Sequence, residues 1–133
     1  MAKSGDDYCF GCGKNNPIGL HLNFQPDGEK VSATKTLPRE YEGYQDVVHG
    51  GIVTLMLDEA MGNYIQKIYD KQAMTGRLEI RYRHPTPIEQ ELKISAWEES
   101  RRKNVLAMKA TVQTQDGTVT AEATSKFVVV NLK

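Results

Sequence analysis

Apolar residues recur along this chain with two different periods, and the change of period divides it. From Gly51 to Tyr69 the period is close to that of an α-helix. Val53, Leu57, Ala60, Met61, Tyr64, Ile65 and Ile68 gather on one face, and Glu59, Gly62, Asn63, Gln66 and Lys67 gather opposite. No proline interrupts the stretch, so the pattern predicts one long helix over 51–69. In its first half Ile52, Leu55 and Met56 fall on the otherwise polar side, so that end is expected to be buried on every side. Asp58 borders the apolar face, whereas Glu59 points to the centre of the polar face and reads as a solvated helix residue.

From Ala73 onward the period falls to two. Leu78, Ile80 and Tyr82 alternate with charged residues, followed by Leu92, Ile94 and Ala96, then Leu106, Met108, Ala110 and Val112, and finally Val119 to Val129. Asp116-Gly117 predicts a hairpin between the last two, and residues 73–132 read as a run of four strands. Two shorter strands are predicted before the helix, at His21–Phe24 and Val31–Leu37, and residues 1–19 read as a polar, glycine-rich lead-in loop. The order implies an α+β domain in which one helix covers one face of an antiparallel sheet. A lone helix leaves apolar surface and sheet edges uncovered, so a second copy of the chain is expected as partner.

At 133 residues the chain fits a single domain over 1–133. Its 17 basic and 17 acidic residues cancel, which excludes an overall field suited to nucleic acid or an anionic membrane. Without an apolar run long enough to span a bilayer or to act as a secretory signal, the reading is cytoplasmic. Both cysteines lie in Cys9-Phe10-Gly11-Cys12. In a reducing compartment the pair is open to three readings: half of a zinc ligand set, a redox pair, or small side chains in a glycine-rich turn. No second C-x-x-C completes a zinc site, although His21 or another subunit would add a ligand.

The segment richest in chemistry is His49-Gly50-Gly51-Ile52-Val53-Thr54-Leu55-Met56-Leu57-Asp58-Glu59-Ala60. Two glycines at a helix start admit a close ligand approach and leave amide donors at the positive end of the dipole. A carbonyl lodged there would have its oxyanion stabilised when attacked. Asp58 is the carboxylate placed for partial desolvation, which raises its pKa toward that of a base or nucleophile. It lies about 10 Å further along the helix axis, too far for both groups to act on one carbonyl. The geometry is relieved if the amide comes from one subunit and the acid from its partner. His49 is read as orienting the turn.

The string HGGIVTLMLDEAMG resembles the helix motif of hotdog-fold thioesterases of the phenylacetate-pathway type, and CFGCGKNNPIGLHLNF resembles the lead-in of a subset of them. The resemblance runs from about Cys9 to Val130. It implies a hotdog fold, an antiparallel sheet of five to six strands wrapped around one long central helix, and an acyl-CoA thioesterase acting as a homodimer or dimer of dimers. By the same resemblance the Gly51 amide polarises the thioester carbonyl, His49 and Gly50 shape the turn, and Asp58 from across the interface activates water or attacks directly. Members of the family often hold that water with a Ser or Thr near the start of the following strand, a place that Thr75 matches.

The reaction implied uses no metal or cofactor beyond the CoA thioester substrate. Arg101, Arg102 and Lys103 are candidate phosphate clamps, with Arg81, Arg83 and His84 as a second basic cluster. Met61 and Ile65, with Ile52 and Met56, are candidates to line the acyl group. The rival function is a hotdog dimer that binds an acyl ligand without hydrolysing it.

Overall fold

In the computed structural model, which describes residues 7–129, strands wrap around a single helix, α1 (Gly50–Tyr69). The strands are β1 (Gln25–Asp27), β2 (Lys30–Thr36), β3 (Ala73–Tyr82), β4 (Glu91–Arg102), β5 (Val105–Thr114) and β6 (Val119–Val129). Residues 1–6 of the expected lead-in and 130–132 of the expected strand run lie outside the described residues.

Every pairing is antiparallel, and the lateral order is β1-β2-β4-β5-β6-β3. This is the expected hotdog arrangement, with six strands among the described residues. The strand run is not a plain meander. Tight turns join β4, β5 and β6, but β3 pairs with β6 at the far edge, so residues 83–90 cross the sheet to reach β4.

α1 begins at Gly50, capped by His49, and ends at Asp70, whose backbone turns left-handed (φ 53°) and donates to the Gln66 carbonyl. Ile52 and Leu55 are only half-buried, so the start of the helix is covered on most sides but not on every side, whereas Met56, Leu57, Ala60, Met61 and Ile65 are completely buried. Each large side chain among them contributes about 1.5–3 kcal/mol through burial.

Three expectations about burial and strand limits are corrected. Ile68, placed by periodicity on the apolar face, is 55% exposed, while Asn63, placed on the polar face, is buried. Asn63 is satisfied locally: its amide donates to the Glu59 backbone carbonyl at 2.9 Å and to Glu59 Oε2 at 3.2 Å. His21–Phe24 is not a strand. Its neighbourhood bonds back to the lead-in, with Leu20 N–H donating to Phe10 O and Leu22 N–H to Gly11 O, and His21 adopts φ +55°. Leu20, Leu22 and Phe24 alternate into the core, but the ladder starts only at Gln25.

Leu57→Ala is expected to destabilise the protein by about 2–5 kcal/mol, because it opens a cavity in a fully buried position. Ile68→Ala is expected to stay within about 0.5 kcal/mol. Urea unfolding of the two variants checks the pair; equal losses would contradict the helix orientation described.

Candidate active site

The helix mouth is built by His49, Gly50 and Gly51. His49 Nδ1 accepts the Gly51 N–H at 2.9 Å, so the ring proton of the neutral imidazole sits on Nε2. The amide expected to serve a carbonyl is therefore already engaged by the cap. Tyr82, at the end of β3, closes the other side of the mouth. Its hydroxyl donates to the Gly50 carbonyl at 3.1 Å and lies 2.6 Å from Thr54 Oγ1. A cleft of about 900 Å³ opens here, lined by His49, Gly50, Gly51, Tyr82, His84 and Thr86 among others. Tyr82 was not singled out from the sequence, where it is only the last member of an alternating run.

Two turns along α1, Asp58 meets Thr75, whose hydroxyl donates to Asp58 Oδ1 at 2.7 Å. How Thr75 reaches the helix follows from a bulge. Thr75 pairs with Phe127 and Arg77 with Lys126, leaving Gly76 as the extra residue. Leu78 pairs with Ser125 and Ile80 with Ala123, and residues directly opposed across an antiparallel ladder share a face. Phe127, Ser125 and Ala123 are all buried, so Thr75, Leu78 and Ile80 share the helix-facing side. Strict alternation would have turned Thr75 away from Leu78. The inserted glycine changes the phase and turns Thr75 toward Asp58. Burial raises the Asp58 carboxyl above its ordinary value of 3.8 more than any other influence; the Thr75 hydroxyl draws it back, and the Glu59 charge adds a further upward push.

The remaining expected site residues are scattered. Arg101 stacks over the Tyr69 ring at 5.4 Å and donates from Nε to the Lys103 carbonyl, and Arg101, Arg102 and Lys103 are all exposed around the β4–β5 turn. Arg81 lines a shallow polar depression on the outer sheet face with Glu79, Trp97 and Lys109. Arg83, counted with the second basic cluster, is ion-paired with Glu122. Met61 and Ile65 pack into the core of this protomer, where Met61 Sδ accepts a hydrogen bond from Ser125 Oγ. Glu59 is half-buried rather than solvated, because the lead-in lies against it and Cys9 Sγ stands 3.4 Å from its Oε2.

The sequence pattern of the thioesterase superfamily matches residues 45–121. No protein with a curated description matches the chain. Among solved structures, a thioesterase superfamily protein superposes with a TM-score of 0.86 at 27% identity, covering 92% of this chain. This chain spans 63% of that protein's length. A Streptococcus mutans protein bound to acetyl CoA gives a TM-score of 0.76 at 20% identity, covering 89% of this chain and 97% of its own. A hypothetical thioesterase from Streptococcus pneumoniae with coenzyme A gives 0.75 at 18% identity, covering 84% and 91%. That last protein has also been solved with an aspartate or a threonine replaced by alanine. No helix among the described residues is long and apolar enough to cross a membrane.

A carboxyl whose pKa is higher folded than unfolded takes up protons on folding between the two values, so stability falls as pH rises through that window. Asp58→Asn keeps an acceptor for Thr75 and removes the charge. It is expected to exceed wild type in stability at neutral pH by at most about 1 kcal/mol after solvent screening. The advantage should vanish below pH 3.8, the ordinary aspartate value. Thermal unfolding of both proteins from acid to neutral pH checks this; an advantage independent of pH would assign it to packing.

Proposed function

The chain belongs to the thioesterase superfamily, and from that premise we propose that it hydrolyses an acyl-CoA thioester to a carboxylic acid and free CoA. The observation that carries the reading is Asp58 held by the Thr75 hydroxyl at 2.7 Å, on the helix whose glycine mouth borders the large cleft. The resemblance of HGG with its downstream aspartate to the phenylacetate-pathway type supports it. So do the structural relatives whose names record coenzyme A or acetyl CoA. The Streptococcus pneumoniae protein adds a further parallel, since the aspartate and threonine replaced there are nearly as many positions apart along the sequence as Asp58 and Thr75 are here.

In this reading Asp58 takes a proton from water as the water oxygen adds to the thioester carbonyl. The oxyanion is met by the Gly51 amide, with His49 and Gly50 shaping the turn and the His49 ring giving way to the carbonyl oxygen. Collapse breaks the C–S bond, and the CoA thiolate leaves with the proton. The variant mechanism has Asp58 itself add to the carbonyl, forming an anhydride that water then opens. A single turnover in ¹⁸O-water distinguishes the two, because only the anhydride route transfers enzyme oxygen to the first product.

Gly51 and Asp58 are about 10 Å apart along one helix by its rise, so we assign the amide and the acid of each site to different subunits of a homodimer or dimer of dimers. The long β3 edge, with exposed Met74 and Tyr82, supplies a surface for joining copies. Arg101, Arg102 and Lys103 are free of carboxylate pairing within the described residues and would meet CoA phosphates. We place the reaction in the cytoplasm, without metal or cofactor at the reacting carbonyl.

One observation favours a second reading, a binder that does not hydrolyse: the Gly51 N–H is already taken by His49 Nδ1. Free-thiol release from short, aromatic and long acyl-CoAs separates the readings, because a binder gives thermal stabilisation without thiol. For the hydrolase, Asp58→Ala should lower turnover by about a hundredfold or more with the fold intact. Thr75→Ala and deletion of Gly76 should each cost about tenfold, since both remove the same hydrogen bond. Near-normal turnover in Asp58→Ala would remove Asp58 from the mechanism.

A further inference from the structure

Among the described residues, one cluster of ligating side chains lies outside the proposed catalytic pair. Cys9 Sγ, Cys12 Sγ and a Glu59 carboxylate oxygen lie within 4.8 Å of one another, where the lead-in loop meets α1. The two cysteines are not disulfide-bonded. A tight turn sets them on one side of the loop, with Gly13 N–H donating to the Cys9 carbonyl at 2.8 Å.

We propose that Cys9, Cys12 and Glu59 bind a zinc ion that clips the lead-in to the central helix. Two soft thiolates with one carboxylate suit zinc better than a hard cation such as magnesium or calcium. The spacing fits. A tetrahedral zinc with bonds of about 2.3 Å to sulfur and about 2.1 Å to oxygen holds those ligands about 3.5 Å apart, and Cys9 Sγ is 3.4 Å from Glu59 Oε2.

Two further features are built around the carboxylate. A Cβ on Gly11, the residue just before Cys12, would stand 2.4 Å from Glu59 Cδ, so only glycine between the two cysteines lets the carboxyl lie against the loop. On the helix side Asn63 Nδ2 donates to Glu59 Oε2 at 3.2 Å, the kind of outer-shell hydrogen bond that orients a metal ligand. Three protein ligands leave a fourth position for water. Binding displaces the thiol protons, including the one Cys9 directs at Glu59. The site supplies the third ligand that the C-x-x-C lacked in the sequence, and it comes from a residue 47 positions beyond Cys12.

The test uses the full chain, purified under reducing conditions from zinc-supplemented cells without chelator. Metal content by mass spectrometry should approach one zinc per chain. The stripped protein titrated with Co²⁺ alone should develop thiolate-to-cobalt charge-transfer absorption. Cys9→Ser with Cys12→Ser should abolish both signals. Glu59→Gln and Gly11→Ala should each weaken cobalt binding at least tenfold, the second by displacing the carboxylate without removing a ligand. Should the double cysteine variant fail to fold, those two decide the matter. Absence of the charge-transfer band, a native disulfide by thiol titration, or cobalt affinity untouched by Glu59→Gln would overturn the site.

Discussion

One helix has to serve as the entire inner layer for a six-stranded sheet, and the rest of the structure follows from covering it. A sheet face reaches only part of a helix circumference, and the first half of α1 is apolar nearly all round. Met56 falls on the otherwise polar side of the helix and, as an end apolar all round requires, is completely buried. Leu20, Leu22 and Phe24, which follow the lead-in, enter the same core as the helix and the sheet. From residue 7 onward the lead-in's backbone groups are satisfied within itself and by the segment that follows, with Gly13 N–H donating to Cys9 O, Leu20 N–H to Phe10 O and Leu22 N–H to Gly11 O.

The long periodic elements were legible because their patterns are redundant. α1 differs from expectation by one residue at its start, and the Asp116-Gly117 turn joins β5 to β6 where expected. The misses share a cause. Periodicity reports which way a side chain points, not what stands opposite it. Glu59 points to the polar face and meets the lead-in there; Ile68 belongs to the apolar face by periodicity and is nonetheless exposed. The crossover that puts β3 beside β6 leaves no local trace either, since each strand alternates in the same way wherever it lies in the sheet.

The site was legible in part for a different reason. Asp58 and the glycine mouth stand out because their residue types are unusual for a helix start and a helix flank. Thr75 was assigned by resemblance alone, and simple alternation would have argued against it. Gly76 is what reconciles the two. By adding one residue to β3 it lets the strand keep Leu78 and Ile80 on the helix while turning Thr75 the same way. Tyr82 had no such marker, and its hydrogen bonds to Gly50 and Thr54 emerge only once β3 is laid along the helix.

Adjacent carboxylates on one helix, Asp58 and Glu59, are drawn to different chemistry by what faces them. Separated by about 100° around the axis, Asp58 meets a strand hydroxyl in a partly desolvated position, where its raised pKa favours accepting a proton. Glu59 meets two thiols and an amide donor, the arrangement from which the proposed zinc site is built. Neither role could pass to the other residue by exchanging names, because aspartate at 59 would fall short of the lead-in by a methylene and glutamate at 58 would overrun Thr75. Because the lead-in and β3 meet α1 on different flanks, each carboxylate has its own surroundings.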